Sequence, residues 1–193
     1  DNGGNNHHSI VEFKGKYYLA YHCRQTEMRM GVNGGKGLNY RSTCIDPADY
    51  NPSTGKISAK GTHTGCTQLQ KLNPFTTVQA ETMANQGGIQ IKGVGDTVVT
   101  DIQKGDWTML KGVDFKDGCK TFSARASSKN GAVIKVCKAN SSGGIGDAFA
   151  YIEVPAGGTM TDIAPVACNS IEGVNDIYFV FSGELEFDSW SFK

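Results

Sequence analysis

From Thr77 onward the sequence is a succession of short apolar runs separated by turn-forming residues, and that pattern constrains the fold more than any other feature. The runs read TVQAETM, DTVVTDI, DWTMLKGVDF, KTFSARASS, AVIKVCKA, AFAYIEV, IAPVAC and NDIYFVFSG. Roughly eight strands at this spacing, with turn signals between them, predict an all-β sandwich. No segment predicts a helix. Met109, Leu110, Val113 and Phe115 imitate a helical stripe, but Gly112 interrupts it and its flanks are strand-like.

The first third has its own pattern. Ser9 to His22 predicts two strands joined at Lys14-Gly15-Lys16, where glycine tolerates a positive φ. Leu38 to Ile45 predicts a third strand, Asp46 to Gly55 a turn dense in Asp, Asn, Pro and Gly, and Lys56 to Lys60 a fourth strand. Four antiparallel strands with short links have the size of one propeller blade. A single blade cannot bury both of its faces and needs neighbours. The expected organisation is therefore 1–60 as a blade, 61–76 as a linker and 77–193 as a sandwich.

Composition narrows the function classes. The 19 basic and 19 acidic residues balance, and no basic stripe points to nucleic acid. No run of about 18 apolar residues predicts a membrane helix. The sequence opens at Asp1 rather than Met and carries no signal peptide, so a processed, trimmed or partial chain is expected. Six cysteines (Cys23, Cys44, Cys66, Cys119, Cys137 and Cys168) form no CxxC pair, and the histidines lack zinc-finger spacing. In a secreted β protein they allow up to three disulfides, in any of 15 pairings.

Two stretches carry a resemblance to known families. Asn6-His7-His8-Ser9-Ile10-Val11-Glu12-Phe13-Lys14-Gly15-Lys16-Tyr17-Tyr18 resembles the fifth-blade motif of glycoside hydrolase family 43. Tyr40 to Asp46, with Tyr50-Asn51-Pro52 and Gly55-Lys56-Ile57, resembles that family's last hairpin. Residues 77–193 resemble carbohydrate-binding module family 6 through Gln79-Ala80-Glu81, Gly105-Asp106-Trp107, Gly112 to Phe115, Val174 to Phe181 and Phe187-Asp188-Ser189-Trp190. The resemblance implies the last blade of a five-bladed β-propeller followed by a β-sandwich of jelly-roll type, at the C-terminal end of a secreted, extracellular enzyme acting on xylan or arabinoxylan. Its partners would be the remaining blades, in the same polypeptide or a second chain, and the polysaccharide itself.

The resemblance also assigns residues. Family 43 glycosidases use an inverting pair of carboxyl groups, which the family carries on earlier blades; no catalytic residue is therefore expected in this chain. Within residues 1–60 Asp46 and Asp49 are the closest acidic pair, expected to cap backbone groups in a turn. Glu12 and Glu27 are expected on solvated surface. His7 falls on the family's propeller-axis position near a metal or water. His8 must point to the opposite face, and His22 and His63 carry no motif. The Asn2–Asn6 and Asn33–Gly37 segments lack phosphate-loop spacing and read as turns.

In the sandwich, Gln79, Glu81 and Asp188 match the family's structural calcium site, with hard oxygen donors drawn from both ends of the domain. The sugar cleft of the family departs here. Residues 84–101 hold no aromatic, Gly157-Gly158 is followed by Thr159 and Met160, and Glu186 stands where the family has asparagine. Trp107 and Trp190 read as core, leaving Tyr151 as the exposed candidate for contact with carbohydrate.

Overall fold

Alternating apolar and polar residues let a strand present one face to a neighbour and one to solvent, and the chain uses that device throughout. A computed structural model describes residues 7–24, 42–62, 65–66 and 70–193, in which there is no helix. Glu27, His63, the two glycine-rich segments and the 38–41 part of the expected third strand lie outside the described residues. The chain divides into two units, Asp1–Thr67 and Gln68–Lys193.

The first unit holds β1 (His8–Phe13), β2 (Lys16–Cys23), β3 (Ser42–Asn51) and β4 (Lys56–Ala59), an antiparallel meander in sequence order. Lys14 and Gly15 both take positive φ, 51° and 74°, as a two-residue hairpin turn demands. Glu12 Oε1 accepts the Gly15 N–H at 2.9 Å and pins that turn. The expected turn at Asp46 to Gly55 is corrected: β3 continues to Asn51, and only 52–55 form the turn. Pairing decided this. Leu19 sits opposite Asp46, Tyr18 opposite Pro47 and Asn51 opposite Lys56. Pro47 lies just past the end of the β4 ladder, which reaches only Ala48, so its missing N–H breaks no bond on that side. Much of this sheet is uncovered. All of β1 and β4 is exposed, including Ile10, Val11, Phe13 and Ile57.

The second unit contains β5 (Val78–Gln79), β6 (Asn85–Gly87), β7 (Gln90–Val94), β8 (Asp96–Thr100), β9 (Trp107–Asp114), β10 (Thr121–Ser127), β11 (Ala132–Ala139), β12 (Ile145–Val154), β13 (Thr161–Asp162), β14 (Val166–Ala167), β15 (Val174–Phe181) and β16 (Glu186–Phe192). One sheet runs β13-β10-β16-β8-β7, with β14 also on β10 and β5 also on β16; the other runs β12-β11-β15-β9-β6. The core between them is aromatic. Phe115, Phe122, Phe179, Phe187, Trp190 and Phe192 are buried together, with Phe179 and Trp190 edge to face at 5.2 Å. Each such pair adds about 0.5–1.5 kcal/mol beyond its buried area.

Gly112, which spoils a helical stripe in the sequence, takes φ 62° inside β9. Its N–H donates to Asp176 Oδ1 at 2.8 Å and its carbonyl accepts the Leu72 N–H at 2.9 Å. The β9–β15 register shifts there, between Asn175 and Ile177, as a bulge does. Among the described residues no helix is long and apolar enough to cross a membrane.

Candidate functional site

Three places in the sandwich gather candidate functional side chains. The first is a cavity of about 390 Å³ lined by Thr100, Asp101, Gln103, Lys129, Glu184 and Glu186, among others. Tight turns build it. Asp101 takes a positive φ of 56°, Asp106 Oδ2 accepts the Gln103 N–H at 2.7 Å, and Ser128 Oγ donates to the Glu184 carbonyl at 2.6 Å. Glu186 is engaged by Lys92 Nζ at 3.6 Å and by Thr100 Oγ1 at 3.4 Å. Among the described residues no aromatic lines the cavity. Positions singled out in the sequence as departures from the family pattern therefore meet here: Asp101 and Glu186 share the wall with Gly158. That Asp101 shares this cavity with Glu184 and Glu186 was not foreseen, because Asp101 follows β8 while Glu184 and Glu186 lie just before and at the start of β16, far along the chain.

The second place is the outer face of the five-stranded sheet. Opposite residues in antiparallel strands share a face, and the register lays out one straight row: Tyr151 opposite Lys135, Lys135 opposite Val180, Val180 opposite Trp107, Trp107 opposite Gly87. A parallel row places Cys137, Tyr178, Met109 and Asn85 beside it. Tyr151 is 56% exposed. Trp107 is only partly buried and meets Tyr178 edge-on at 5.4 Å. The expectation that Trp107 belongs to the sandwich core is corrected, whereas Trp190 is in it, 2% exposed. The reason is local: β9 is apolar on both faces, with Leu110 turned inward and Trp107 and Met109 outward. Gly87 makes room for the indole, since a Cβ there would lie 2.6 Å from Nε1. Tyr178 donates to the Gly143 carbonyl at 2.6 Å, which fixes the β11–β12 loop at the edge of the same face.

The third place is the seam between β5 and β16. Gln79 lies opposite Ser189, and the Ala80 N–H donates to the Asp188 carbonyl at 2.8 Å. Both carboxylate oxygens of Glu81 are shielded from solvent and find no hydrogen-bond partner among the described residues. A buried carboxylate left in that state is costly unless a cation or donor meets it. Asp188 accepts from Ser189 Oγ at 3.0 Å and faces Arg125 Nε at 3.4 Å; Arg125 also reaches Asp162 at 3.3 Å. Among the described residues no three His, Cys, Asp or Glu side chains gather as a metal cluster. Gln79, Glu81 and Asp188 are oxygen donors of the kind a hard cation takes, and backbone pairing brings their two segments together.

In the first unit, His7 is exposed; its N–H donates to His22 Nδ1 at 3.3 Å, and the two rings lie 5.8 Å apart. His8 begins β1 opposite Tyr21. Asp46, expected to cap a turn, is instead 1% exposed on β3. It accepts from Tyr21 Oη at 2.6 Å, from the Thr62 N–H at 2.8 Å and from Thr62 Oγ1. Burial alone would raise its pKa, but these donors together hold the carboxyl below its ordinary value. Asp49 is exposed opposite Ser58.

Two stacked antiparallel sheets, with a cavity at their loop end and an open face bearing aromatics, define a β-sandwich. Residues 79–193 match the family described as carbohydrate binding module (family 6), and the chain belongs to that family. The resemblance to an enzyme of glycoside hydrolase family 43 also holds across both units. The chain is 35% identical over 205 residues to an arabinoxylan arabinofuranohydrolase of Paenibacillus polymyxa, covering 98% of this chain and 31% of that protein. The structure of a family 43 arabinoxylan arabinofuranohydrolase from Bacillus subtilis, in complex with cellotetraose, matches with a TM-score of 0.82 at 34% identity, over 100% of this chain and 41% of that one. A module from Clostridium stercorarium, in complex with cellobiose, matches with a TM-score of 0.58 at 26% identity, over 65% of this chain and 98% of that one. The chain thus spans about a third of the length of the curated relatives it matches.

Proposed function

We propose that the chain is a non-catalytic portion of a secreted glycoside hydrolase acting on xylan or arabinoxylan, and that its sandwich holds the polysaccharide for that enzyme. The row Tyr151–Lys135–Val180–Trp107 carries the binding role. It sets two aromatic side chains and a cationic donor on one open sheet face, and aromatic faces suit the apolar face of a pyranose while polar groups fix its orientation. Tethering sugar in this way raises the effective concentration of substrate at the enzyme.

The first unit, on this reading, is the last blade of a five-bladed propeller and docks on the remaining blades. Its exposed Ile10, Val11, Phe13 and Ile57 support this, being apolar positions that the unit itself leaves uncovered. His7 would take the axial position near a metal or water. In the sandwich, Gln79, Glu81 and Asp188 would hold a structural calcium. Bound there, the ion would neutralise Glu81 and tie β5 to β16.

The loop-end cavity favours a second reading, in which the sandwich only braces the propeller. Without an aromatic it offers no stacking surface. Calorimetric titration with xylohexaose separates the two. Binding through the sheet face predicts a Kd on the order of millimolar. Tyr151→Ala and Trp107→Ala should each weaken it about five- to tenfold, and Glu186→Gln should leave it unchanged. No heat from the unaltered chain selects the bracing reading.

A further inference from the structure

The fold selects two cysteine pairs out of the 15 pairings that six cysteines allow. Cys119 lies in the connection between β9 and β10, and Cys168 immediately follows β14. β14 pairs with β10 through Thr121 opposite Ala167 and Phe122 opposite Val166, and the next step of that ladder is the Cys168 N–H donating to the Lys120 carbonyl at 2.9 Å. Cys119 is thereby brought close to Cys168 at the end of that ladder. Both sulfurs pack on the aromatic core. In the first unit, Cys44 sits opposite Tyr21 and Cys23 opposite Ser42, so the cysteines are diagonal neighbours on one face. Their Sγ atoms lie 2.7 Å apart, inside the contact distance of two sulfurs that share no bond. The other two cysteines are placed differently. Cys66 is exposed, and Cys137 is wholly buried among Met109 and Tyr178 on the outer sheet face.

We infer that Cys119–Cys168 and Cys23–Cys44 are the disulfide pairs of this chain, formed by exchange with a disulfide-bearing oxidoreductase or oxidised glutathione. In the sandwich the neighbouring Cys168 thiol shifts the Cys119 thiol below its usual value, while Cys119 and burial raise that of Cys168. The Cys119 thiolate attacks the oxidant's disulfide, a mixed disulfide forms, and one oxidant sulfur leaves as a thiolate that takes up a proton. Cys168, giving up its own proton, then attacks Cys119 Sγ and expels the second oxidant sulfur. Two cysteine thiols and one oxidant disulfide become one protein disulfide and two oxidant thiols. The bond closes a loop of about 50 residues and clamps β14, which holds its neighbour through only Val166 and Ala167.

The test is a peptide map. Every cysteine falls in a different tryptic peptide, so the links are unambiguous. The 193-residue chain is equilibrated in mixed reduced and oxidised glutathione, quenched and alkylated under denaturing conditions, and digested without reduction. Peptide 117–120 should be joined to 139–193, and 17–24 to 42–56, while 61–71 and 136–138 carry alkylated cysteine. Reduction should lower the melting temperature of the sandwich by roughly 10 °C, and Cys168→Ser should abolish that sensitivity. Alkylated Cys119 and Cys168, or either of them joined to Cys66 or Cys137, overturns the first pair. The same result at Cys23 and Cys44 overturns the second.

Discussion

Tyr21 donates its phenolic hydrogen to Asp46 across two neighbouring strands, at 2.6 Å. With the Thr62 N–H and Oγ1 also aimed at that carboxylate, a buried acid is met by donors from β2 and from the segment after β4. Because its folded-state pKa is depressed, the stability it contributes is present above the unfolded value of about 3.8 and is lost as pH falls through the lower folded value. Asp46→Ala should cost about 1.5–3 kcal/mol near neutral pH, the worth of hydrogen bonds to a charged group. Urea unfolding monitored in the first unit should show that loss shrinking below about pH 4. A penalty that stays constant down to pH 2 would contradict the assignment.

Glu81 predicts a response to metal. Its two shielded, unpartnered oxygens leave the β5–β16 seam electrostatically incomplete. Adding calcium to chelated protein should raise the melting temperature of the sandwich, and Glu81→Gln should remove most of that rise. At calcium a hundredfold above its Kd the stabilisation is about 2.7 kcal/mol. An unchanged melting curve with chelator present would leave Arg125 as the only cation serving Asp188.

Thr108 offers a test of the core itself. It is completely buried and its Oγ1 finds no partner among the described residues. Thr108→Val keeps the branched shape and removes the orphaned hydroxyl, so it should stabilise the sandwich by about 1 kcal/mol. Calorimetry should record a rise of about 3 °C; destabilisation would mean that the hydroxyl has a partner in solution.

Asp101, Glu184 and Glu186 around one cavity make hydrolysis worth measuring directly. Glu186 is tied to Lys92, while Asp101 and Glu184 are open to water. The rigorously purified chain should turn over neither aryl arabinofuranosides nor aryl xylosides. Activity that disappears in Glu186→Gln would move the chemistry into this cavity.

The strands of the sandwich were legible because their apolar runs are short, branched and bounded by turn residues; NDIYFVF could hardly be anything but β15. The 46–51 segment misled for an equally physical reason. Asp-Pro and Asn-Pro pairs favour turns locally, but the partners of Asp46 through Asn51 lie on β2 and β4, and those long-range contacts outweigh the local preference. Trp107 was misjudged because composition does not say which side of an apolar strand is covered. The meeting of Asp101 with Glu186 depends on β8 approaching β16, which share a single paired position, Phe187 opposite Val99. No spacing in the sequence encodes that approach.

β16 lies between β10 and β8 and also carries β5, so the segment 186–192 forms the middle of its sheet. During synthesis, β5 through β15 must therefore wait beside the ribosome with Phe122 and Phe179 lacking the Trp190 and Phe192 that cover them. Closure of the module is consequently a late event. Any premature stop upstream of residue 186 would release an open sheet with sticky edges rather than a shortened but folded domain.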